Sequence, residues 1–194
     1  MTVPVILPPP TPKRTVYLSF MGPINEQNVE ALIARVNGEI NTGATTIHLL
    51  LTSLGGGVIA GFAAYTLLKG LPVELVTHNT GNISSIANVV FLAGAKRYAC
   101  PSSTFYFHGT SGGQPDSNAA MLQSSIEGIN IDDGRTIDVI AKETGMTPAE
   151  VRGLVSSVGV TKTATSAQAC GLVHELRDVV IPPGASFFQF ILTR

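Results

Sequence analysis

The stretch GNISSIANVVFLAGAKRYACPSSTFYFH, residues 81–108, decides the fold and carries the main candidate chemistry. It opens with a glycine turn and two serines, Ser84 and Ser85, before an apolar run from Ile86 to Ala95. A basic and polar turn follows, and a β-prone segment then ends at His108. Hydrolytic enzymes use this layout, with a serine nucleophile before an apolar helix and a histidine base at the tip of a later strand.

A second informative stretch, LTSLGGGVIAG at residues 51–61, is a glycine-rich turn between an apolar strand and an apolar helix. Such turns can bind phosphate, but this one lacks the lysine that a P-loop requires. Beside the serine and the histidine, the turn instead indicates the backbone of an oxyanion hole. The two stretches together predict an acyl-transfer site.

The composition favours a soluble subunit that associates with copies of itself. Only 13% of the 194 residues are charged, about half the usual share, and the mean hydropathy is +0.31. A membrane protein would also fit these values, but the longest apolar stretch, Ile86 to Ala95, is too short to span a bilayer. The proline-broken N-terminus lacks the charged-then-apolar order of a secretory signal.

Charge and cysteine content argue against several other classes of function. The formal net charge is −1 and the basic residues are scattered, so neither nucleic acid nor a membrane is an expected partner. The two cysteines, Cys100 and Cys170, lie far apart and lack the CxxC spacing of zinc or redox sites. They are interpreted as free thiols in a reducing cytoplasm, and no metal or cofactor is predicted.

Hydrophobic periodicity predicts an α/β domain in which strands and helices alternate along the chain. Residues 1–14 are expected to form a proline-rich arm, and residues 15–194 a single domain. A turn is expected at residues 79–81, with a helix starting near Ser84. The predicted strands lie at residues 15–20, 46–52, 73–77, 97–100, 104–107 and 172–180.

Two helix starts are marked in the second half of the chain. A long helix over about residues 117–143 is predicted, with Asp116 or Ser117 as its cap. Asp133 falls on the apolar stripe of this helix, where an apolar residue is expected. Further on, Thr147 and Glu150 form a capping box that starts a second helix.

Five motifs, in the same order, resemble the proteolytic subunit of the Clp protease (ClpP), within the wider crotonase-like superfamily. They span roughly residues 15–178 and read YLSFMGPINEQNVEALIARV, TSLGGGVIAGFAAYTLLK, TGNISSIANVVFLAGAKRYACPSSTFYFHG, ETGMTPAEVRGLV and SAQACGLVHEL. The resemblance implies a spiral of repeated β-β-α units with the long helix as a protruding handle. It also implies a serine endopeptidase that cleaves peptides or proteins inside a homo-oligomer, a heptameric ring or double ring.

The same resemblance assigns roles to individual residues. Ser85 falls at the nucleophile position and His108 at the general-base position, while Gly56 and Ile86 fall where backbone N–H groups form the oxyanion hole. Elementary chemistry agrees, because the N–H at a helix start attracts negative charge and a glycine lets a second backbone approach closely. Ser84 is interpreted as a turn residue, and three histidines as structural: His48, His78 and His174.

The third member of the catalytic triad is not identified by the sequence. The aspartate of the family would stand at Val158, and no acid lies between Val151 and Gln168. In the serine protease template, a pair without its orienting carboxylate loses about 10⁴ in rate. Two alternatives stay open: orientation of His108 by a hydroxyl (Ser156, Ser157 or Thr161), or by a carboxylate of the long helix (Asp132 or Asp133).

Other departures leave the function open as well. The missing aspartate favours, as an alternative, a catalytically weak or inactive ClpP-like paralogue with a structural role. A crotonase-type acyl-CoA enzyme is a second alternative, although no CoA-directed signal is present. Leu54 stands where the family has a proline, and Gly109 where it has a glutamine. The N-terminus differs from the axial loop of the family, so an AAA+ unfoldase is not an expected partner.

Overall fold

The computed structural model describes residues 13–112, 118–155, 158–190 and 192. Most of the predicted arm lies outside these ranges. The two proposed helix caps, Asp116 and Ser117, lie outside them as well, and so do two of the hydroxyl candidates, Ser156 and Ser157. The described end of the arm is tied to the domain, because Arg14 pairs with Glu39 at 2.7 Å.

The described chain contains eight strands and six helices. The strands are β1 (Thr15–Met21), β2 (Thr46–Ser53), β3 (Glu74–Ser84), β4 (Lys96–Ala99), β5 (Thr104–Phe107), β6 (Val160–Thr163), β7 (Glu175–Leu176) and β8 (Ser186–Gln189). The helices are α1 (Glu26–Asn41), α2 (Val58–Lys69), α3 (Ala87–Phe91), α4 (Ala119–Thr144), α5 (Pro148–Leu154) and α6 (Ala164–Ala169).

All eight strands belong to one sheet. Its main path runs β6-β5-β3-β2-β1-β8, while β4 pairs with β3 and β7 outside that path. Every pairing is parallel except that of β5 with β6. Parallel sheets are covered on both faces. Strand β2 accordingly buries four apolar residues among five consecutive positions. The predicted α/β class is therefore confirmed.

Strand β3 corrects the sequence prediction at the centre of the domain. The turn expected at residues 79–81 is wrong, because β3 continues to Ser84 and changes partner on the way. Asn79 is the last residue paired with β4, and Asn82 the first paired with β5. The Asn79 side chain bridges this change, donating to Thr104 O at 2.8 Å and accepting from Gly81 N at 3.0 Å. The following helix consequently begins at Ala87 rather than near Ser84.

Helix α4 is long, with 26 residues, but only its C-terminal part enters the core. Ile137 and Ile140 are its buried residues, whereas four apolar side chains nearer its start are exposed: Met121, Leu122, Ile126 and Ile131. Its cap is Asn118, which accepts a hydrogen bond from Met121 N, and not either residue predicted. Within the described ranges, no helix is both long and apolar enough to cross a membrane.

The C-terminal third of the chain agrees only in part with the elements predicted from the sequence. The capping box at the start of α5 is confirmed, since Thr147 and Glu150 bond each other's backbone. The strand predicted over residues 172–180 is reduced to the two residues of β7. The short strand β6 was not predicted; it pairs antiparallel with β5. The apolar tail enters the sheet as β8, beside β1.

Candidate active site

Ser85 stands on a sharp turn between β3 and α3. Among the described residues it is the one non-glycine residue with a positive φ, 56°, a conformation that L side chains rarely adopt. Two hydrogen bonds hold the turn: Ser85 N donates to Tyr106 O at 2.9 Å, and Asn88 Nδ2 donates to the same oxygen at 2.8 Å. Asn88 also donates to Ser85 O at 3.0 Å. The turn is thus fixed to β5, the strand that leads to His108.

The glycine-rich turn lies directly against this serine. Gly55 has φ 94°, and a Cβ on it would come within 2.7 Å of Ser85 Cβ. Ile24 bonds both flanking glycines, because its N–H donates to Gly55 O at 2.9 Å and its carbonyl accepts from Gly57 N at 2.7 Å. Gly56, between them, has φ 151°, and a Cβ there would collide with Ile24 O. Close backbone packing therefore requires glycine at this position.

Two backbone N–H groups beside Ser85 have no hydrogen-bond acceptor within the part of the chain described. They belong to Gly56 and Ile86, which line the same cavity. Ile86 is buried and Gly56 is exposed, so one donor comes from the core and the other from the surface of the glycine turn. A pair of such donors next to a serine hydroxyl is the arrangement that binds a developing oxyanion.

His108 follows β5 and faces this cavity. Its Nδ1 lies 2.6 Å from Gly109 O, and a carbonyl oxygen only accepts, so Nδ1 carries the hydrogen. The neutral ring then keeps its lone pair on Nε2, the nitrogen a general base needs. The Tyr106 ring lies beside the imidazole, with centroids 5.5 Å apart.

The cavity has a volume of about 60 Å³. Besides Gly56, its lining has a polar side made of Ser85, His108, Thr110, Ser111, Asp133 and Thr136, and an apolar side made of Val58, Ile86, Phe107, Ile140 and Val155. The structure thus brings together all four residues that the sequence singled out. No hydrogen bond joins Ser85 Oγ to the imidazole among the described contacts, so the serine and histidine line the same cavity without being bonded to each other.

The surroundings of His108 narrow the alternatives for the third triad member. Val158 is 87% exposed and stands outside the described lining, and Thr161 is paired with Tyr106 in the sheet. Asp132 pairs with Arg135 at 2.9 Å. Asp133 is different, because it lines the cavity and its Oδ1 accepts from Thr110 N at 2.7 Å. The sequence analysis noted it as a polar residue on an apolar stripe and, with Asp132, as a carboxylate that could orient His108.

The other three histidines lie away from this cavity. His48 Nδ1 and His78 Nε2 are 2.9 Å apart, a contact the sequence did not predict. Burial lowers the pKa of both imidazoles, that of His78 to about 4. Burial also lowers the pKa of His174, whose Nδ1 accepts from Arg97 N at 3.2 Å. These rings make contacts within the fold, as the interpretation of them as structural requires.

Comparison with known proteins identifies the family. The family model described as Clp protease matches residues 13–179. The chain belongs to the Clp protease family. Among solved structures, a mutant ClpP1 from Listeria monocytogenes superposes with a TM-score of 0.75 at 21% identity, covering 86% of this chain and 92% of that one. The predicted resemblance to ClpP is therefore confirmed, and the likeness to the Listeria protein shows that the fold is shared.

Membership of the Clp protease family fixes the broad class of function, a hydrolase of the ClpP type. Members of this family form oligomeric rings and cleave protein substrates. The matched range includes Gly56, Ser85, Ile86 and His108, the residues of the cavity described above. It also includes Val158, the position at which the resemblance places the aspartate of the family.

Proposed function

We propose that this chain is a ClpP-type serine peptidase whose nucleophile is Ser85 and whose general base is His108. The observation that carries the proposal is the convergence of Ser85, His108 and the two acceptor-free N–H groups of Gly56 and Ile86 on one small cavity. Nucleophile, base and oxyanion donors around one point are the parts that acyl transfer needs.

In the proposed reaction, Ser85 Oγ attacks the peptide carbonyl while His108 Nε2 takes its proton. The carbonyl oxygen becomes negative and accepts hydrogen bonds from Gly56 N and Ile86 N; one such donor is worth about 10²–10³ in rate. The imidazolium then gives its proton to the leaving amine as the C–N bond breaks. Water, activated by His108, hydrolyses the acyl-enzyme and restores Ser85.

We further propose that the peptidase works inside a homo-oligomeric ring, heptameric or doubled by resemblance. Two apolar surfaces support this. The first is a groove of about 460 Å³ between α1 and α2, beside Ile59, which is 76% exposed. The second is the exposed apolar start of α4, described above. Soluble monomers rarely leave such patches open. The cytoplasmic location stays a prediction from the two free cysteines.

A fluorophosphonate probe tests the proposed nucleophile. The wild-type protein should lose fluoride from the probe and carry one phosphonyl group on Ser85 Oγ, detected by intact mass and peptide mapping. Ser85→Ala removes the hydroxyl and should abolish labelling; in a related template, loss of the serine costs about 10⁶ in rate. Ser84→Ala is the matched control, since Ser84 is buried and bonds Asn82 outside the cavity. Equal labelling of wild type and Ser85→Ala would refute the proposal.

A second candidate function is a catalytically weak or inactive subunit with a structural role in the assembly. Two observations favour it: the family aspartate is absent at Val158, and Ser85 and His108 are not hydrogen-bonded to each other. Intact ring assembly with no labelling of wild type would support this candidate. The family model that matches the chain is that of the Clp protease, which favours the peptidase over the acyl-CoA alternative.

A further inference from the structure

We propose that Asp133 of α4 replaces the missing triad aspartate as a positioning residue for His108. This inference rests on the proposed function, since it concerns the base of that reaction. Asp133 would act through the backbone that follows His108 rather than by touching substrate. The position that the family aspartate would occupy, Val158, has no part in it.

The geometry around His108 carries the proposal. The Nδ1–H of His108 donates to the carbonyl of Gly109 at 2.6 Å, and this bond sets the orientation of the ring. The next residue, Thr110, donates its N–H to Asp133 Oδ1 at 2.7 Å. The segment that holds the imidazole is therefore itself held by a carboxylate on a neighbouring helix. A hydrogen bond to a charged acceptor is about twice as strong as a neutral one.

The second oxygen of Asp133 lies against the residue that follows His108. A Cβ built on Gly109 would lie 3.4 Å from Asp133 Oδ2 and 3.8 Å from Val155 O, which are ordinary van der Waals contacts. Both oxygens of the carboxylate therefore lie along the segment after the imidazole, one bonded to Thr110 N and the other beside Gly109. This contact explains the polar residue on the apolar stripe of α4.

The experiment compares rates of fluorophosphonate labelling of Ser85 in the full chain. Asp133→Ala removes the carboxylate that accepts a hydrogen bond from Thr110 N. We expect labelling about 10²-fold slower, since misplacing a catalytic group by about 1 Å has that cost. Asp133→Glu, which restores a carboxylate acceptor, should recover part of the rate.

Asp132→Ala is the matched control. Asp132 is the adjacent acid on the same helix, but it pairs with Arg135 and stands outside the described lining of the cavity, so the labelling rate of this variant should equal that of wild type. If Asp133→Ala labels as fast as wild type, the inference is wrong and the proposed function stands. A slower rate with no rescue by Asp133→Glu would show a purely structural role, and would also overturn the inference.

A second variant decides the matter if Asp133→Ala does not fold. Asp133→Asn keeps the size of the side chain but offers Thr110 N a neutral acceptor, whose hydrogen bond is about half as strong. It should therefore slow labelling by a smaller factor than Asp133→Ala. A wild-type labelling rate in Asp133→Asn would overturn the inference. If wild type itself is not labelled, the proposed function fails first, and the role of Asp133 falls with it.

Discussion

The two halves of the cavity are supported in different ways. The serine half, made of Gly55–Gly57, Ser85 and Ile86, is held by close contacts and hydrogen bonds between backbone segments. The histidine half, made of His108–Thr110 and Asp133, is held by one loop and by a helix that buries only two of its residues. The comparison teaches that the position of Ser85 is fixed by close backbone packing, whereas that of His108 depends on where α4 lies.

The first test, which has the largest expected effect, concerns the serine half. Gly56→Ala should cost more than about 4 kcal/mol in the free energy of unfolding, the range of severe single substitutions. The new Cβ would collide with the carbonyl of Ile24, at a φ of 151° that L residues avoid. Urea denaturation followed by circular dichroism measures the loss.

Gly57→Ala is the control for that measurement. The nearest atom to its Cβ, outside the chain neighbours, is Ile24 O at 3.7 Å, an ordinary contact, and its φ is −69°. We expect a change within about 0.5 kcal/mol. If the two alanines destabilise equally, the serine half is not fixed by close backbone packing, and the contrast between the halves disappears.

The second test concerns the attachment of α4. Ile140→Ala and Ile137→Ala each delete a buried side chain of this helix, so each should lower the free energy of unfolding by about 2–5 kcal/mol. Only Ile140 lines the cavity. Labelling of Ser85, measured well below the melting temperature, should therefore slow roughly tenfold in Ile140→Ala alone. Equal labelling rates in the two variants would show that the histidine half is insensitive to the position of α4.

The third test, which has the smallest expected effect, concerns His78, a titrating residue outside both halves of the cavity. Burial lowers the pKa of His78 from 6.5 to about 4, and its side chain is buried beside His48. The unfolded chain then binds a proton below pH 6.5 that the folded chain binds only near pH 4. The free energy of unfolding consequently decreases as the pH falls from 6.5 to about 4, and the loss is about 3 kcal/mol at most.

His78→Gln removes this titration and serves as its control. Its unfolding free energy should vary less between pH 6.5 and 4 than that of wild type, as measured by urea titrations at matched pH values. The Ser85 turn should stay intact, because the two histidines lie away from the cavity. An equally steep decline in both proteins would mean that other groups cause the acid sensitivity.

The serine half could be predicted from the sequence because its signals are local. A glycine run after a buried strand, and a serine before an apolar helix, each specify a turn whose neighbours are near in the chain. The position of His108, the candidate base, could be predicted as well, since this residue directly follows a short β-prone segment. These are contacts whose geometry follows from the type of element.

The features that the sequence did not predict depend on register and on distant packing. Nothing local in Asn79 or Asn82 reveals that β3 changes partner from β4 to β5. The contact of His48 with His78 runs diagonally between two parallel strands, so it requires the exact pairing of residues. Asp133 was noticed as a misfit on its helix, but its partner, Thr110, became known only when α4 was placed.

The positive φ of Ser85 has a consequence for how far this protein could be stabilised. Glycine would occupy the same turn without the steric cost that serine bears there, a cost of about 1 kcal/mol or more. A variant with glycine at this position would gain stability and lose the hydroxyl together. Under the proposed function, the turn is therefore a trade of stability for reactivity, of the kind that keeps natural enzymes below their attainable stability.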